Sequence, residues 1–307
     1  MTLRSPLCAG ALLLLAYPAF AADHVLDIDN RVGKFETFYA HATDKPLDAN
    51  ARFKLWQTED GLAAVPPGPD GDAMARKLLD DAWSKYPALT PKLDGLEKTA
   101  EATAREMFAR DNDILGTAAD TIHTRLILYV GQFDNNTFTV PPMEGRPATI
   151  LMPVENINLK IALAHELTHS IELQLVPVKN SFGAPVGETM FLEGLAMRTS
   201  QHAVPGLPDS AYTSMPNEPD WMPNCVAKKD AILKDILPDL DKSGHEIAMK
   251  YTFGRGNHGM QREAYCAAWF VMGKLLDSGK TLPELARTPE DRMVATVRAA
   301  MEEHYIR

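Results

Sequence analysis

Residues 158–175 read NLKIALAHELTHSIELQL and are followed two positions later by Pro177. Apolar residues recur in this stretch at the three- and four-residue spacing of an α-helix, which the proline would end. One row of the helix would be buried, and its members are Leu163, Leu167 and Ile171. His165 and His169 are four residues apart and share another face, with Glu166 beside them. The segment therefore predicts a helix that presents two imidazoles and a carboxylate together.

His165, Glu166 and His169 form an HExxH pattern. Two imidazoles one helical turn apart can each point a ring nitrogen at the same ion, about 2 Å away. Zinc held in this way acidifies a water molecule, which a neighbouring carboxylate can hold and deprotonate. The pattern thus predicts a zinc site with Glu166 as the catalytic base.

A catalytic zinc site needs a third protein ligand and one open position for water. Glu172 lies seven residues after His165, about 10 Å along a helix axis, which is too far for one ion to touch both. The residues after His169 also lack the glycine turn and the third histidine of the metzincin arrangement. We therefore expect the third ligand to come from another element.

Glu193 is the best candidate for that ligand. It is the carboxylate within the apolar stretch TMFLEGLA of the next predicted helix, which covers about residues 188–202, and a carboxylate in such a stretch needs a partner. Gly194 fits the same interpretation, since a missing side chain lets two helices approach closely enough to share an ion. Glu188 is the alternative ligand, although its position at the start of the predicted helix favours a role in capping that helix.

HELTH followed 24 residues later by Glu193 in FLEGLA resembles the gluzincin group of zinc metallopeptidases, in particular the predicted zinc-dependent proteases with an EGLA-type second motif. The motifs cover about thirty residues, with looser similarity in the order of elements over residues 122–277. The resemblance implies one zinc ion per chain, Glu166 as the base, and a substrate backbone that pairs with an edge strand, here residues 149–152. The implied zinc ligands are His165, His169 and Glu193.

A site for acyl transfer also needs a donor to the oxyanion. Tyr265, in a helix predicted for residues 262–277, and His258, in the glycine-rich loop 254–259, are the candidates. Tyr265 shares helical spacing with several apolar residues, which favours packing in the core. A loop histidine such as His258 more often has no catalytic role. Both assignments stay open at this point.

The rest of the chain predicts an α+β fold that is mostly helical, with a small sheet beside the HExxH helix, as in zincins. Helical spacing extends over residues 27–117, and another helix is expected at about 227–237. Apolar runs predict strands at 126–130, 138–140 and 149–152. We therefore expect a helical N-terminal region at residues 22–120 and a zincin-like domain at residues 121–307.

The N-terminus predicts a secretory signal peptide. Arg4 precedes an apolar run, and small residues precede a cleavage expected after about Ala21. The apolar run is shorter than the roughly 20 residues that a permanent membrane helix needs, and no second long apolar segment follows. We therefore expect a secreted or periplasmic protein without a membrane span in the mature chain.

Charge and cysteine content agree with that expectation. Loss of Arg4 would take the net charge from −10 to −11, which makes nucleic acid an improbable partner. Removal of the signal would leave two cysteines, Cys225 and Cys266, in an oxidising compartment. We expect them to form one disulfide; two buried free thiols are the alternative.

The sequence as a whole predicts a secreted zinc metallopeptidase that acts on peptide or protein substrates. A zinc amidase that cleaves cell-wall peptides would use the same site. A metal-binding or chaperone module without turnover is a further alternative, against which the intact base argues. A purely structural zinc is disfavoured because two histidines and one glutamate leave a coordination position open.

Overall fold

The computed structural model describes residues 23–45, 47–65, 68–179, 183–213 and 218–305. The predicted signal peptide lies outside the described residues. Within the described ranges, no helix is both long enough and apolar enough to cross a membrane.

Four strands form one mixed sheet in the order β1-β2-β4-β3. The strands are β1 (His24–Asn30), β2 (Ile122–Tyr129), β3 (Phe138–Val140) and β4 (Ala148–Pro153). β1 and β4 both pair with β2 in parallel, whereas β3 pairs with β4 antiparallel. The central strands β2 and β4 are largely buried, which explains why their sequences read as apolar runs.

The three predicted strands are confirmed, but two expectations about the sheet are wrong. Residues 27–30 belong to β1, where Leu26 and Ile28 alternate with Asp27 and Asp29 as in a half-buried strand, and not to a helix. Residues 149–152 lie in β4, which has a neighbour on both sides and therefore cannot accept a substrate strand. β3 is the edge strand at that end of the sheet.

Helices make up most of the described chain, so the predicted α+β, mostly helical class is confirmed. The helices before β2 are α1 (Val32–Asp44), α2 (Ala49–Glu59), α3 (Pro69–Ala82), α4 (Tyr86–Leu89) and α5 (Leu93–Ile114). The helices after β4 are α6 (Leu159–Leu175), α7 (Val186–Ala203), α8 (Asp209–Tyr212), α9 (Trp221–Ile236), α10 (His245–Ala248), α11 (Glu263–Asp277), α12 (Leu282–Leu285) and α13 (Glu290–His304).

The predicted helices of the C-terminal half are confirmed, with one shifted start. α9 begins at Trp221, six residues earlier than expected, because Pro223 lies in its first turn, where a proline costs no helical hydrogen bond. The division of the chain at residue 120 stays a prediction. Across it, β1 pairs with β2 over seven residues and α5 packs against α6 and α7.

The HExxH helix α6 lies between the sheet and the C-terminal helices. It packs against β4 on one side and against α7 on the other, and α7 in turn packs against α11. Its predicted apolar row is fully buried, and the members of that row are Leu163, Leu167 and Ile171. This burial fixes the rotation of α6 about its axis and thereby turns both histidines away from the core.

Two features join the C-terminal helices closely. A Cβ atom at Gly194 would lie 2.9 Å from the backbone oxygen of Ala268, so the glycine permits close approach of α7 and α11. The expected close approach is therefore present, but between α7 and α11 and not between the two helices that carry the predicted ligands. Cys225 of α9 and Cys266 of α11 form a disulfide with their Cα atoms 5.6 Å apart, which confirms the predicted pair.

Candidate metal centre

The three predicted metal ligands come together at the interface of α6 and α7. Nε2 of His165 lies 3.1 Å from Nε2 of His169 and 3.1 Å from Oε2 of Glu193. The same Glu193 oxygen lies 3.6 Å from Nε2 of His169. Donor atoms around a tetrahedral zinc ion at about 2.0–2.2 Å are about 3.3–3.6 Å apart, so this triangle fits the ion.

Glu172 orients one of the histidines. Its Oε1 lies 2.6 Å from Nδ1 of His169, on the side of the ring that faces away from Glu193. A proton on Nδ1 donated to Glu172 leaves the lone pair of Nε2 pointing at the other two ligand atoms, as metal binding requires. Glu172 is therefore outside the ligand set, as predicted. The orienting role was not predicted, although the three-residue spacing from His169 was a usable signal.

The ligand groups shift each other's ionisation. Burial lowers the pKa of His169, but the charges of Glu193 and Glu172 raise it by more, and the net shift is upward. Burial raises the pKa of Glu193, yet the two imidazoles lower it further, so the carboxylate stays ionised. The group thus favours positive charge between its members, which is the electrostatic property of a cation site.

The predicted base, Glu166, is held by two threonine hydroxyls. Thr137 donates to Oε1 at 2.8 Å, and Thr139 of β3 donates to Oε2 at 2.7 Å. These bonds fix a nearly buried carboxylate next to the histidine that precedes it in the chain. Sequence reasoning missed both threonines. Thr139 lies in the predicted strand 138–140 and Thr137 directly precedes it, and this spacing of two residues, which places side chains on one face of extended chain, was the signal available.

The loop that delivers Thr137 is itself anchored. Glu155, which follows β4, accepts hydrogen bonds from the backbone nitrogens of Gly131 at 3.1 Å and Phe133 at 3.3 Å. Tyr86 of the N-terminal region donates its hydroxyl to the backbone oxygen of Gly131 at 3.0 Å. The N-terminal helices therefore support the position of the base through this loop.

Tyr265 reaches the centre from α11. Its hydroxyl donates to Oε1 of Glu193 at 2.8 Å, while the other oxygen of that carboxylate faces the imidazoles. Burial, followed by the charge of Glu193, raises the pKa of Tyr265 well above its ordinary value, so the hydroxyl remains a donor. The expectation that packing is the main role of Tyr265 is therefore incomplete, because its side chain is buried and also bonded to a candidate ligand.

The remaining candidates lie outside the triangle of ligands. His258 belongs to a separate group with Asp235 and Glu263, and the structure gives its predicted role as an oxyanion donor no support. Glu188 lies in the first turn of α7, where burial and the charge of Glu290 raise its pKa to about 7. The structure places Glu188 in neither group of potential metal ligands within the described residues.

Comparison of the chain with protein-family models, with curated proteins and with solved structures finds no match. The function must therefore be inferred from the residues and geometry of the centre.

Proposed function

We propose that this protein is a zinc-dependent metallopeptidase. The single observation that carries the proposal is the convergence of two imidazole nitrogens and one carboxylate oxygen, all within 4.8 Å of one another. Glu166 follows His165 on the same helix. Two histidines and a glutamate are a donor set typical of catalytic zinc, and three protein ligands leave a coordination position open. The open position, with the carboxylate of Glu166 available to take a proton from bound water, distinguishes this arrangement from a site at which zinc only stabilises the fold.

The side chains around the centre have separable tasks in the proposed reaction. When bound, zinc supplies a Lewis acid that polarises a carbonyl group and lowers the pKa of water to about 7. Glu166 accepts the proton from the attacking water and returns it to the leaving amine. Thr137 and Thr139 keep the carboxylate of Glu166 aimed at that water. Tyr265 fixes the orientation of Glu193 through its hydroxyl.

The edge strand supports a peptide as the substrate. β3 pairs with β4 along one side, and Thr139 in the middle of β3 contacts Glu166. An extended peptide that added to the other side of β3 would pass beside the base, as in recognition by β-augmentation. A small amide without an extended backbone would gain nothing from this strand. Short cell-wall peptides could also pair here, so the assay must include them.

The disulfide between Cys225 and Cys266 supports the predicted location outside the cytoplasm. Structural disulfides persist in oxidising compartments and are rare where cellular thiols are kept reduced. We therefore propose that the protein acts in the periplasm or after secretion. Fractionation of cells that express the full chain, followed by mass analysis of the mature N-terminus, tests both the location and the expected cleavage after Ala21.

The proposed activity is tested with purified protein that has been stripped of metal and reloaded with zinc. An unfolded protein and cell-wall fragments are offered in parallel, and products are identified by mass spectrometry. We expect zinc-dependent cleavage of the unfolded protein. The Glu166→Gln variant excludes contaminating peptidases, and Glu36→Gln, on an exposed position of α1, is the matched control. Cleavage of the cell-wall fragments alone would favour the amidase, and zinc binding without turnover of either substrate would overturn the proposal.

A further inference from the structure

A second group of metal-binding side chains lies around the start of α11. One carboxylate oxygen of Asp235, one ring nitrogen of His258 and one carboxylate oxygen of Glu263 lie within 4.8 Å of one another. The three residues come from α9, from the glycine-rich loop 254–259 and from the first position of α11. No residue of this group is shared with the centre formed by α6 and α7.

Two polar atoms of this group are buried without a hydrogen-bond partner. Among the residues that the structure describes, Nε2 of His258 has none, and neither has Oε2 of Glu263, whose side chain is 0% exposed. The other oxygen of Glu263 accepts bonds from the backbone nitrogens of His258 and Met260, at 2.9 and 3.2 Å. A buried carboxylate oxygen without a partner is costly, and a cation would compensate it.

The loop is shaped around the Glu263 carboxylate. A Cβ atom at Gly256 would lie 2.1 Å from Oε2 of Glu263, so only glycine leaves room for the side chain there. Arg262, which precedes the helix, has a left-handed backbone with φ 55°. Non-glycine residues adopt that conformation at a cost and keep it when the surrounding structure requires it. The backbone turn at Arg262 and the absence of a Cβ atom at Gly256 together allow the Glu263 carboxylate to lie against the loop that carries His258.

Nearby lysines and amide donors do not pair with the unpartnered atoms of this group. Nζ of Lys250 lies 3.7 Å from Oδ2 of Asp235, and Asn257 donates to both oxygens of the same carboxylate, at 2.9 and 3.1 Å. Lys228 donates to the backbone oxygen of His258 and not to its ring. The hydroxyl of Tyr251 donates to Oδ2 of Asp235 as well, at 3.3 Å. These contacts still leave a lone pair on Oδ1, since a carboxylate can accept about four bonds. They do not reach the unpaired atoms of His258 and Glu263.

We propose that Asp235, His258 and Glu263 bind a second zinc ion, which fastens the glycine-rich loop to α9 and to the start of α11. An imidazole nitrogen with two carboxylate oxygens suits zinc better than calcium, which prefers six to eight oxygen ligands. Tyr265 lies two residues after Glu263 on the same helix. The ion would therefore hold the end of α11 that delivers Tyr265 to Glu193, without contacting the substrate.

The test counts bound zinc in purified protein after removal of free metal, by elemental analysis. We expect two equivalents in the wild type, one in Glu193→Ala, one in His258→Asn and none in the double variant. His245→Asn, at an exposed histidine of α10, is the matched control and should keep two equivalents. Addition of zinc should raise the melting temperature of Glu193→Ala by about 5 °C and leave that of the double variant unchanged.

The outcomes separate this site from the proposed catalytic centre. Equal zinc content and equal thermal shift in Glu193→Ala and in the double variant would overturn the second site. One equivalent in the wild type that is lost in His258→Asn but retained in Glu193→Ala would support the second site and contradict the first. Because His258→Asn could disturb the loop, Asp235→Asn is measured as a second variant of the same site. Asp230→Asn, at an exposed position of α9, is its control. Asp235→Asn should lose one zinc equivalent, and Asp230→Asn should lose none. Uptake of calcium in place of zinc would also overturn the assignment.

Discussion

The two sides of the candidate centre are built differently. On the sheet side, the base Glu166 is held by Thr137 and Thr139, which come from the end of a loop and from a strand of three residues. On the helix side, Glu193 is held by Tyr265, where α7 and α11 approach so closely that Gly194 has no room for a Cβ atom. The sheet side therefore positions the proposed base, and the helix side positions the carboxylate that would hold the ion.

This division has a consequence for mutations. Changes on the helix side should act through zinc affinity, whereas changes on the sheet side should act through turnover with zinc still bound. Four variants test whether the two effects separate in this way, and a fifth, at Glu188, tests the stability of the helix side.

Replacement of Glu193 by Ala should have the largest effect. It removes the ligand that α7 contributes to the proposed centre and leaves two imidazoles, which cannot complete a catalytic zinc site. We expect loss of the zinc at this centre and of all measurable hydrolysis. Elemental analysis and a peptide-cleavage assay check the result. Full activity of Glu193→Ala would show that the helix side is dispensable for hydrolysis.

Replacement of Glu166 by Gln should lower kcat about 1,000-fold, the usual contribution of a general base. The amide keeps the shape of the side chain and can still bond to the threonines, so zinc should stay bound. Steady-state kinetics and metal analysis on one preparation check both statements. Loss of zinc in Glu166→Gln would show that the sheet side also controls the ion.

Glu188 sharpens the description of the helix side through the pH dependence of stability. Its pKa in the folded protein is raised to about 7, and Oε1 has no hydrogen-bond partner. As the pH rises from about 4.5 to 7, the unfolded chain ionises before the folded one, so stability decreases by up to about 3 kcal/mol. Above about pH 7 the loss is complete.

Replacement of Glu188 by Gln should remove this decrease. We expect the variant to gain stability over the wild type at pH 8 and to show little difference at pH 4.5. Urea unfolding at both pH values measures the change. An equal difference at the two pH values would mean that ionisation of Glu188 is not the cause.

Replacement of Tyr265 by Phe should weaken zinc binding roughly 10- to 100-fold, the usual cost of losing a side chain that orients a metal ligand. Oε1 of Glu193 would lose its partner at 2.8 Å, while packing of the ring would be kept. Competition with a zinc chelator measures the affinity. At saturating zinc, kcat should be close to that of the wild type. A fall in kcat at saturating zinc would instead assign Tyr265 to the oxyanion.

Replacement of Thr139 by Val should have the smallest effect, about a 10-fold decrease in kcat with unchanged zinc affinity. The variant keeps the branched shape but removes the hydroxyl that donates to Glu166. Thr137 would still hold one oxygen of the base. Thr149→Val, in the neighbouring strand, is the control, since that hydroxyl bonds only to a backbone oxygen. Similar kcat values for the two variants would contradict the role of Thr139.

The sequence predicted the side chains of the centre whose placement follows from helical spacing. His165 and His169 share a face because of their spacing, and Glu193 stands out as a carboxylate within an apolar stretch of the next helix. Each of these signals depends on residues close together in the chain. The disulfide between Cys225 and Cys266 could also be predicted, because the two cysteines that remain after removal of the signal peptide allow a single pairing.

The sequence could not predict features that depend on distant partners. The place of β3 at the edge depends on the order of strands in the sheet, and the edge role that the resemblance implies was assigned instead to residues 149–152, which lie in β4. The strand β1 was missed because its partner begins at Ile122, far along the chain. The group around Glu263 combines a loop with two helices, so no spacing in the sequence reveals it.

The pairing of β1 with β2 has a consequence for how the protein can be made. His24 pairs with Ile122, and the intervening residues form α1 to α5. Contacts between residues so far apart slow folding, and the sheet cannot be completed until β2 has been synthesised. A shortened chain that began after α5 would retain the whole HELTH segment but would expose the edge of β2, an apolar strand. Such a fragment should associate with itself through that edge, so recombinant work should keep residues 23–30.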